Sequence, residues 1–195
     1  MKPLFILLFC AAALTNIIAC ARGCQLPRRI AKALLMPLLL AIYLTCARQV
    51  QAWVIPALLL GWIGDLFLIV PHQGLPRTLG IASFLLGHIC WFLAMVRQFP
   101  IAPALWGRIA APLVFLVAAA LIYRSLYPLL PREMKITGGV YIGVLAAMGA
   151  TAGLVLLSGC PGGWALLLGE LLFLVSDTIL CRQFFTVGDP CPRYD

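Results

Sequence analysis

Two aspartates lie in apolar stretches of the sequence. Asp65 is the only charged residue between Ala52 and Val70, and Asp177 lies within LLFLVSDTILC. An ionised carboxylate inside a membrane costs roughly 2.5–3.5 kcal/mol on insertion scales. Two carboxyls at one depth need either cations or a shared proton, and a shared-proton pair is a catalytic device. We therefore predict that Asp65 and Asp177 are catalytic residues.

The composition of the chain indicates a lipid environment. Of its 195 residues, 64% are hydrophobic and 10% are charged, against about 45–50% and about 25% in soluble domains. We predict an all-α integral membrane bundle that forms a single polytopic domain over residues 1–195. The net charge of +8 is scattered over short loops, which argues against nucleic-acid binding and fits attraction to the anionic headgroups of a bilayer.

Seven apolar segments are long enough to cross a bilayer, which takes about 20 residues per helix. Pro37, Pro56 and Pro112 are predicted to lie inside helices and to kink them. Small residues in the sixth segment suit tight helix packing. The predicted spans are residues 3–21, 30–47, 52–70, 79–96, 109–127, 136–157 and 164–181.

The first segment has a second interpretation, as a signal peptide. A basic start and an apolar run precede Ala19-Cys20-Ala21, which resembles a cleavage site. The basic residues that follow favour a cytoplasmic loop, and therefore a retained span.

Basic residues are biased to one side of the predicted bundle. Ten lie in the loops after odd-numbered segments or in the tail, and four lie on the other side. The positive-inside rule then predicts an external N-terminus and a cytoplasmic C-terminus. The ten are Arg22, Arg28, Arg29, Lys32, Arg77, Arg124, Arg132, Lys135, Arg182 and Arg193, and the four are Lys2, Arg48, Arg97 and Arg108.

The polar candidates fall near one level in this topology. At 1.5 Å per residue, Asp65, Asp177 and Tyr141 lie about 6–8 Å from the predicted cytoplasmic end, near Lys32, and His88 lies about 13 Å deep. This predicts one cavity open to the cytoplasmic leaflet, with the two carboxyls roughly 5–9 Å apart, as in two-carboxylate hydrolases. Lys32 and His88 have an alternative, purely structural role, in which they only neutralise or bond neighbouring helices.

The two aspartate segments also form a weak internal repeat. Residues 64–68 (GDLFL) and 176–180 (SDTIL) share a small residue, an aspartate and a leucine three positions later. The segments are four spans apart and therefore run in parallel. Duplication of a four-helix unit would explain the match.

Four motifs resemble those of the YhhN-like lysoplasmalogenases, a family of multi-span membrane proteins. They are AKALLMPLLL at 31–40, GWIGDLFLI at 61–69, SFLLGHICWFLAM at 83–95 and GELLFLVSDTILC at 169–181. The resemblance implies hydrolysis of the vinyl ether of a lysoplasmalogen to a fatty aldehyde and glycerophosphoethanolamine or glycerophosphocholine. It matches Lys32, Asp65, His88 and Asp177 to motif positions. The resulting candidates are Asp65, Asp177 and His88 for catalysis, and Lys32, Tyr141 and Ser176 for substrate binding.

The sequence departs from the family pattern in three places. Ala33 follows the lysine where the family has proline, and Trp91 stands where tyrosine is usual. The family usually has an eighth helix, whereas the chain after residue 181 is too polar and too short to span. Two alternatives follow: the pocket is incomplete, or two copies of the chain close it as a homodimer.

The polar residues suit vinyl-ether hydrolysis independently of the family resemblance. Such ethers hydrolyse when the β-carbon is protonated, which gives an oxocarbenium ion that water attacks. A neutral carboxylic acid supplies the proton, and a carboxylate stabilises the cation and activates the water. Lys32 or a loop arginine could hold the lysolipid phosphate. No metal or organic cofactor is needed, and the eight cysteines, which lack C-x-x-C spacing, are expected to be small hydrophobes.

A small proton-coupled transporter is the main alternative function, since buried aspartate and histidine also form proton relays. The absence of an inverted repeat or a broken-helix pair in the sequence argues against it. A structural or regulatory family member that has lost catalysis is the third possibility. Aldehyde release from a lysoplasmenyl lipid would select the hydrolase, and ion flux in liposomes without aldehyde would select the transporter.

The predicted orientation can be tested with reporter fusions. A reporter that is active only in the cytoplasm should give signal when fused after Asp195 and none when fused before Met1, because the basic loops are retained inside. A silent C-terminal fusion together with an active N-terminal fusion would reverse the predicted topology.

Overall fold

A computed structural model describes residues 2–69, 75–99 and 101–186, with side chains up to residue 182. Within these ranges the chain forms seven α-helices, one 3₁₀ turn and no strand, which confirms the predicted all-α class. Arg193 and the rest of the predicted polar tail beyond residue 186 lie outside the described residues. The helices are α1 (Lys2–Ala21), α2 (Gln25–Cys46), α3 (Val54–Ile69), α4 (Leu75–Gln98), α5 (Leu105–Leu126), α6 (Lys135–Leu157) and α7 (Gly163–Thr186), and the 3₁₀ turn is Arg132–Met134.

Six of the seven helices are long and apolar enough to cross a membrane. The exception is α3, whose 16 residues extend about 24 Å, against a hydrocarbon core of about 30 Å. It begins two residues later than predicted, because a turn in which the Val54 amide donates to the Gln51 carbonyl (3.1 Å) precedes it. Its last residue, Ile69, adjoins residues 70–74, which lie outside the described ranges, so the predicted third span, residues 52–70, stays a prediction.

The start of α2 differs from the prediction. The helix begins at Gln25 rather than near residue 30 and so includes Arg28, Arg29 and Lys32. Apolar runs mark where hydrocarbon begins, whereas a helix can start earlier with charged residues in the interface. Pro27 fits in the first turn, where a missing N–H breaks no helical bond.

The effect of each proline depends on whether it lies in the first turn of its helix or in the interior. Pro56 lies in α3, as predicted, and is its third residue. A first-turn proline displaces no helical hydrogen bond, so its position gives no reason for the predicted kink. Pro37 and Pro112 do lie inside α2 and α5, as predicted.

The chain divides into two compact units, residues 1–91 and 92–195. In the first unit, α2 packs against both α1 and α3. In the second unit, α6 packs against both α5 and α7. The middle helix of each unit therefore carries the contacts to its two neighbours, in the same order along the chain. The predicted single domain over the whole chain stays a prediction.

Small residues bring α5 and α6 together in the second unit. The ring of Phe115 occupies the position that a Cβ would take on Gly149, and a Cβ on Gly153 would lie 3.2 Å from the Cβ of Ala111. This confirms the predicted tight packing of the sixth helix. Next to this contact, Ala119, Leu126, Leu130 and Ile142 form a buried apolar cluster.

The close contact on α6 gives a prediction with a matched control. Gly149→Ala should lower the free energy of unfolding by about 1–3 kcal/mol, because the added methyl overlaps Phe115 and forces the helices apart. At Gly143, on the same helix, a Cβ would meet nothing within 4 Å, so Gly143→Ala should be neutral or stabilise by up to about 1 kcal/mol. Unfolding of the purified protein in mixed detergent micelles measures both. An equal loss in the two variants would contradict this packing.

Candidate active site

Lys32 and Asp65 form an ion pair between α2 and α3. The Lys32 Nζ lies 3.0 Å from Oδ1 of Asp65, and the two side chains are 31% and 14% exposed. Lys32 stands eight residues into its helix and Asp65 four residues before the end of the other. The arrangement supplies the cation that a carboxylate in an apolar segment requires.

A hydrogen bond from a side chain of α3 to a backbone carbonyl of α2 holds the two helices together beside this ion pair. Pro37 has no N–H, so the carbonyl of Ala33, four residues earlier, lacks its helical donor. The indole Nε1 of Trp62, on α3, donates to that carbonyl at 2.8 Å. One turn further along, the methyl of Met36 lies 4.0 Å from the Cβ position of Gly61. The bond fixes the two helices in the register that places Lys32 opposite Asp65.

Trp62 is the residue that the sequence analysis missed at this site. An interior proline leaves one carbonyl without a donor, and a buried carbonyl seldom remains unpaired. Trp62 stands in the neighbouring apolar segment, between the glycines at 61 and 64. The search for a donor to the freed carbonyl could therefore have identified its indole.

Helix α4 also packs closely against α3. The Oγ of Ser83 donates to the carbonyl of Leu60 at 2.7 Å. A Cβ on Gly64 would lie 2.7 Å from the ring of Phe84, so only glycine fits directly before Asp65 in the chain. A Cβ on Gly87 would lie 3.2 Å from the carbonyl oxygen of Ala57. The first unit therefore surrounds the aspartate helix with α2 on one side and α4 on another.

His88 is buried within the first unit, at 6% exposure. Its Nδ1 forms a hydrogen bond with the carbonyl of Phe84, one turn earlier in α4. The neighbouring Gly87 packs against Ala57, Leu60 and Gly61, which puts His88 about 6–12 Å along α3 from Asp65. His88 therefore lies farther along the helix axis than the aspartate, in the order that the depth count predicts.

Tyr141 and Asp177 form the corresponding pair in the second unit. The side chains of the two residues, on α6 and α7, are joined by a hydrogen bond. Both are half-buried. One turn after the aspartate, Cys181 packs against the apolar cluster that includes Ile142. Asp177 thus has a neutral hydroxyl as its partner, in contrast to the ammonium beside Asp65.

The two units therefore use the same arrangement. In each, the third helix carries an aspartate, and a polar side chain from the second helix bonds it: Lys32 with Asp65, Tyr141 with Asp177. The correspondence agrees with the internal repeat in the sequence. Because the two aspartates belong to different units, their predicted 5–9 Å separation stays a prediction.

Two further polar residues lie on α7. Ser176, predicted to bind substrate, is exposed on this helix, and its role stays a prediction. Glu170 is half-buried two turns before Asp177 and therefore shares its side of the helix. Among the residues that the structure describes, no group of three or more His, Cys, Asp or Glu side chains could hold a metal ion, and the seven cysteines described are free thiols.

These features define a multi-pass helical membrane protein with polar pairs inside its apolar helices. The chain belongs to the YhhN family, whose family model matches residues 27–194. This confirms the membership indicated by the four motifs.

Two similar curated proteins bear the name Lysoplasmalogenase, one from Mycobacterium bovis and one from Mycobacterium tuberculosis. Each is 33% identical to this chain over 140 residues, which is 71% of this chain and 52% of the relative. The chain therefore spans about half the length of the curated relatives it matches. No solved structure matches the chain significantly.

The bond between Trp62 and the Ala33 carbonyl also gives a testable prediction. Trp62→Phe should lower the free energy of unfolding by about 1–3 kcal/mol, because it leaves a buried carbonyl without a donor. In a Pro37→Ala background the new N–H at residue 37 supplies the helical bond, so the cost of Trp62→Phe should shrink. Unfolding in mixed micelles measures this double-mutant cycle.

Trp164→Phe is the matched control, because Trp164 is 66% exposed and its loss should cost little. Equal costs of Trp62→Phe with and without Pro37 would show that the indole does not replace the missing helical donor.

Proposed function

We propose that this protein hydrolyses the vinyl ether of a lysoplasmalogen, releasing a fatty aldehyde and glycerophosphoethanolamine or glycerophosphocholine. The observation that carries the proposal is the Lys32–Asp65 ion pair, which holds a charged carboxylate inside the apolar helices of a YhhN-family protein. Two similar curated proteins, each named Lysoplasmalogenase, support the same activity.

The proposal assigns each aspartate a role from its partner within its own unit. An ammonium at 3.0 Å favours the ionised form of Asp65. Asp177 is bonded to a hydroxyl rather than to an ammonium, so this bond supplies no positive charge to hold the carboxyl ionised. We therefore take Asp177 as the general acid and Asp65 as the carboxylate that faces positive charge.

The reaction then proceeds in two stages. Asp177 gives its proton to the β-carbon of the vinyl ether, and the adjacent carbon becomes an oxocarbenium ion that Asp65 stabilises. Asp65 next accepts a proton as water adds to this ion to form a hemiacetal. As the hemiacetal collapses, the bond to the glycerol oxygen breaks and Asp65 gives its proton to that oxygen. Asp177 takes the proton of the hemiacetal hydroxyl, which releases the aldehyde and restores both carboxyls to their starting forms. Water is the only co-reactant, and the two carboxyls end with the same total number of protons.

The remaining candidates support these two residues. His88, buried against α3, is proposed to border the reacting group on its deeper side, while Tyr141 orients the acid through its hydrogen bond. Ser176 is proposed to contact the lipid substrate. The orientation proposed from the charge bias, with the N-terminus outside, puts the start of α2 at the cytoplasmic interface.

Amide substitutions test the two aspartates. Asp65→Asn and Asp177→Asn should each lower kcat for a lysoplasmenyl lipid about a hundredfold or more, because an amide neither donates nor accepts the required proton. Aldehyde release by purified protein in detergent measures the loss.

Glu133→Gln makes the same chemical change at an exposed carboxylate in the 3₁₀ turn and should keep kcat near that of the parent. Well-folded Asp177→Asn protein with turnover within a few-fold of the parent would remove the proposed general acid.

A further inference from the structure

Lys32 is already engaged, so the substrate phosphate needs another cation. The ammonium lies 3.0 Å from the carboxylate of Asp65 and neutralises it within the helices. A phosphate bound to the same ammonium would compete with Asp65 and add a second negative charge beside it. By sequence, Lys32 and a loop arginine are alternatives for this role, and the ion pair favours an arginine.

Arg29 is the arginine whose surroundings differ from those of an ordinary interface residue. Its Nε is buried and has no hydrogen-bond acceptor among the residues that the structure describes. A guanidinium donor left unpaired away from water is costly, so such a group normally meets a carboxylate or phosphate. No acidic residue occurs in the first turn of α2 to fill that role.

The position of Arg29 suits a lipid headgroup. It precedes Lys32 by three residues and is therefore its neighbour on the surface of α2, one turn closer to the start of the helix. On the helical wheel it lies on the same side as Met36, which faces Gly61 of α3. It therefore lies closer to the membrane interface than the ion pair does, as a phosphate joined to a chain in the hydrocarbon requires.

We propose that Arg29 binds the phosphate of the lysophospholipid substrate, while Lys32 serves as the positioning residue of Asp65. This inference rests on the proposed function and adds to it a separate role for each cation: Arg29 binds the headgroup phosphate, and Lys32 binds the carboxylate of Asp65. A guanidinium presents paired N–H donors to two phosphate oxygens, which a single ammonium cannot do.

The test compares two substrates in phosphate-free maltoside micelles. One is a 1-alkenyl glycerophosphoethanolamine and the other is the matching 1-alkenyl glycerol, which lacks the phosphate. The readout is the ratio of kcat/KM for the first substrate to that for the second. Arg29→Gln should lower this ratio about tenfold or more, mainly through KM, because only the phosphorylated substrate loses a charge-assisted bond.

Two variants control for charge and folding. Arg28→Gln removes a positive charge that also lies near Lys32 on α2. Unlike Arg29, Arg28 has no buried side-chain nitrogen that lacks a hydrogen-bond partner. This variant should therefore leave the ratio near that of the parent. Arg29→Lys keeps the positive charge but lacks the paired N–H donors of a guanidinium, and should therefore recover part of the ratio lost in Arg29→Gln. Damage to folding would lower both rates together. A ratio unchanged in Arg29→Gln, or lowered equally in Arg28→Gln, would overturn the assignment.

A binding arm separates this inference from the proposed function. If the parent protein cleaves neither substrate, the hydrolase proposal fails, and Arg29 is tested by tryptophan fluorescence with lysophosphatidylethanolamine and a monoacylglycerol. Tighter binding of the phosphorylated lipid that disappears in Arg29→Gln supports the site, and equal binding of the two lipids overturns it.

Inorganic phosphate, added as a competitor, distinguishes the two sources of this ligand. Displacement of the lysolipid that depends on Arg29 supports a site that free phosphate also occupies. A lack of displacement, with discrimination retained, supports a site specific for a lipid headgroup.

Discussion

The ion pair between Lys32 and Asp65 is the constraint on which the first unit depends. Removing one partner of a fully buried pair leaves an uncompensated charge and costs about 3–5 kcal/mol, which is an upper limit for this partly buried pair. Rotation or sliding of α2 against α3 would separate the same two groups, so the pair limits the two helices to one register. In the proposed mechanism the carboxylate of this pair is also the group that lies against the cationic intermediate.

Ordinary packing rules keep that pair in place. Pro37 frees the Ala33 carbonyl, Trp62 bonds it, and Gly64 leaves room for α4 immediately before the aspartate. The second unit repeats the arrangement with a hydroxyl in place of the ammonium. Each unit thus places its own carboxyl in different electrostatic surroundings, and a difference of this kind separates an acid from a carboxylate in hydrolases that use two such groups.

Sequence patterns predicted the seven helices because apolar runs report directly on contact with lipid. They also identified Asp65 and Lys32, since charge in such a run is rare. They did not predict that these two would pair, because pairing depends on helix rotation, which hydropathy does not encode. They did not predict the early start of α2 at Gln25 for a different reason: apolar runs locate the hydrocarbon boundary, and the helix extends past it. Hydropathy did not identify Trp62, because the role of its indole N–H depends on the Ala33 carbonyl, which Pro37 leaves without a helical donor.

The most direct test of the account is the position of hydrogen in the product. Turnover of a lysoplasmenyl lipid in deuterium oxide, followed by trapping of the aldehyde as its alcohol, reports which carbon the enzyme protonates. Protonation of the β-carbon by an exchangeable carboxylic acid predicts one deuterium on the carbon next to the former carbonyl, and no product from the saturated 1-alkyl analogue. Aldehyde that carries no deuterium at that carbon, or cleavage of the saturated ether at a comparable rate, would contradict the acid–base mechanism.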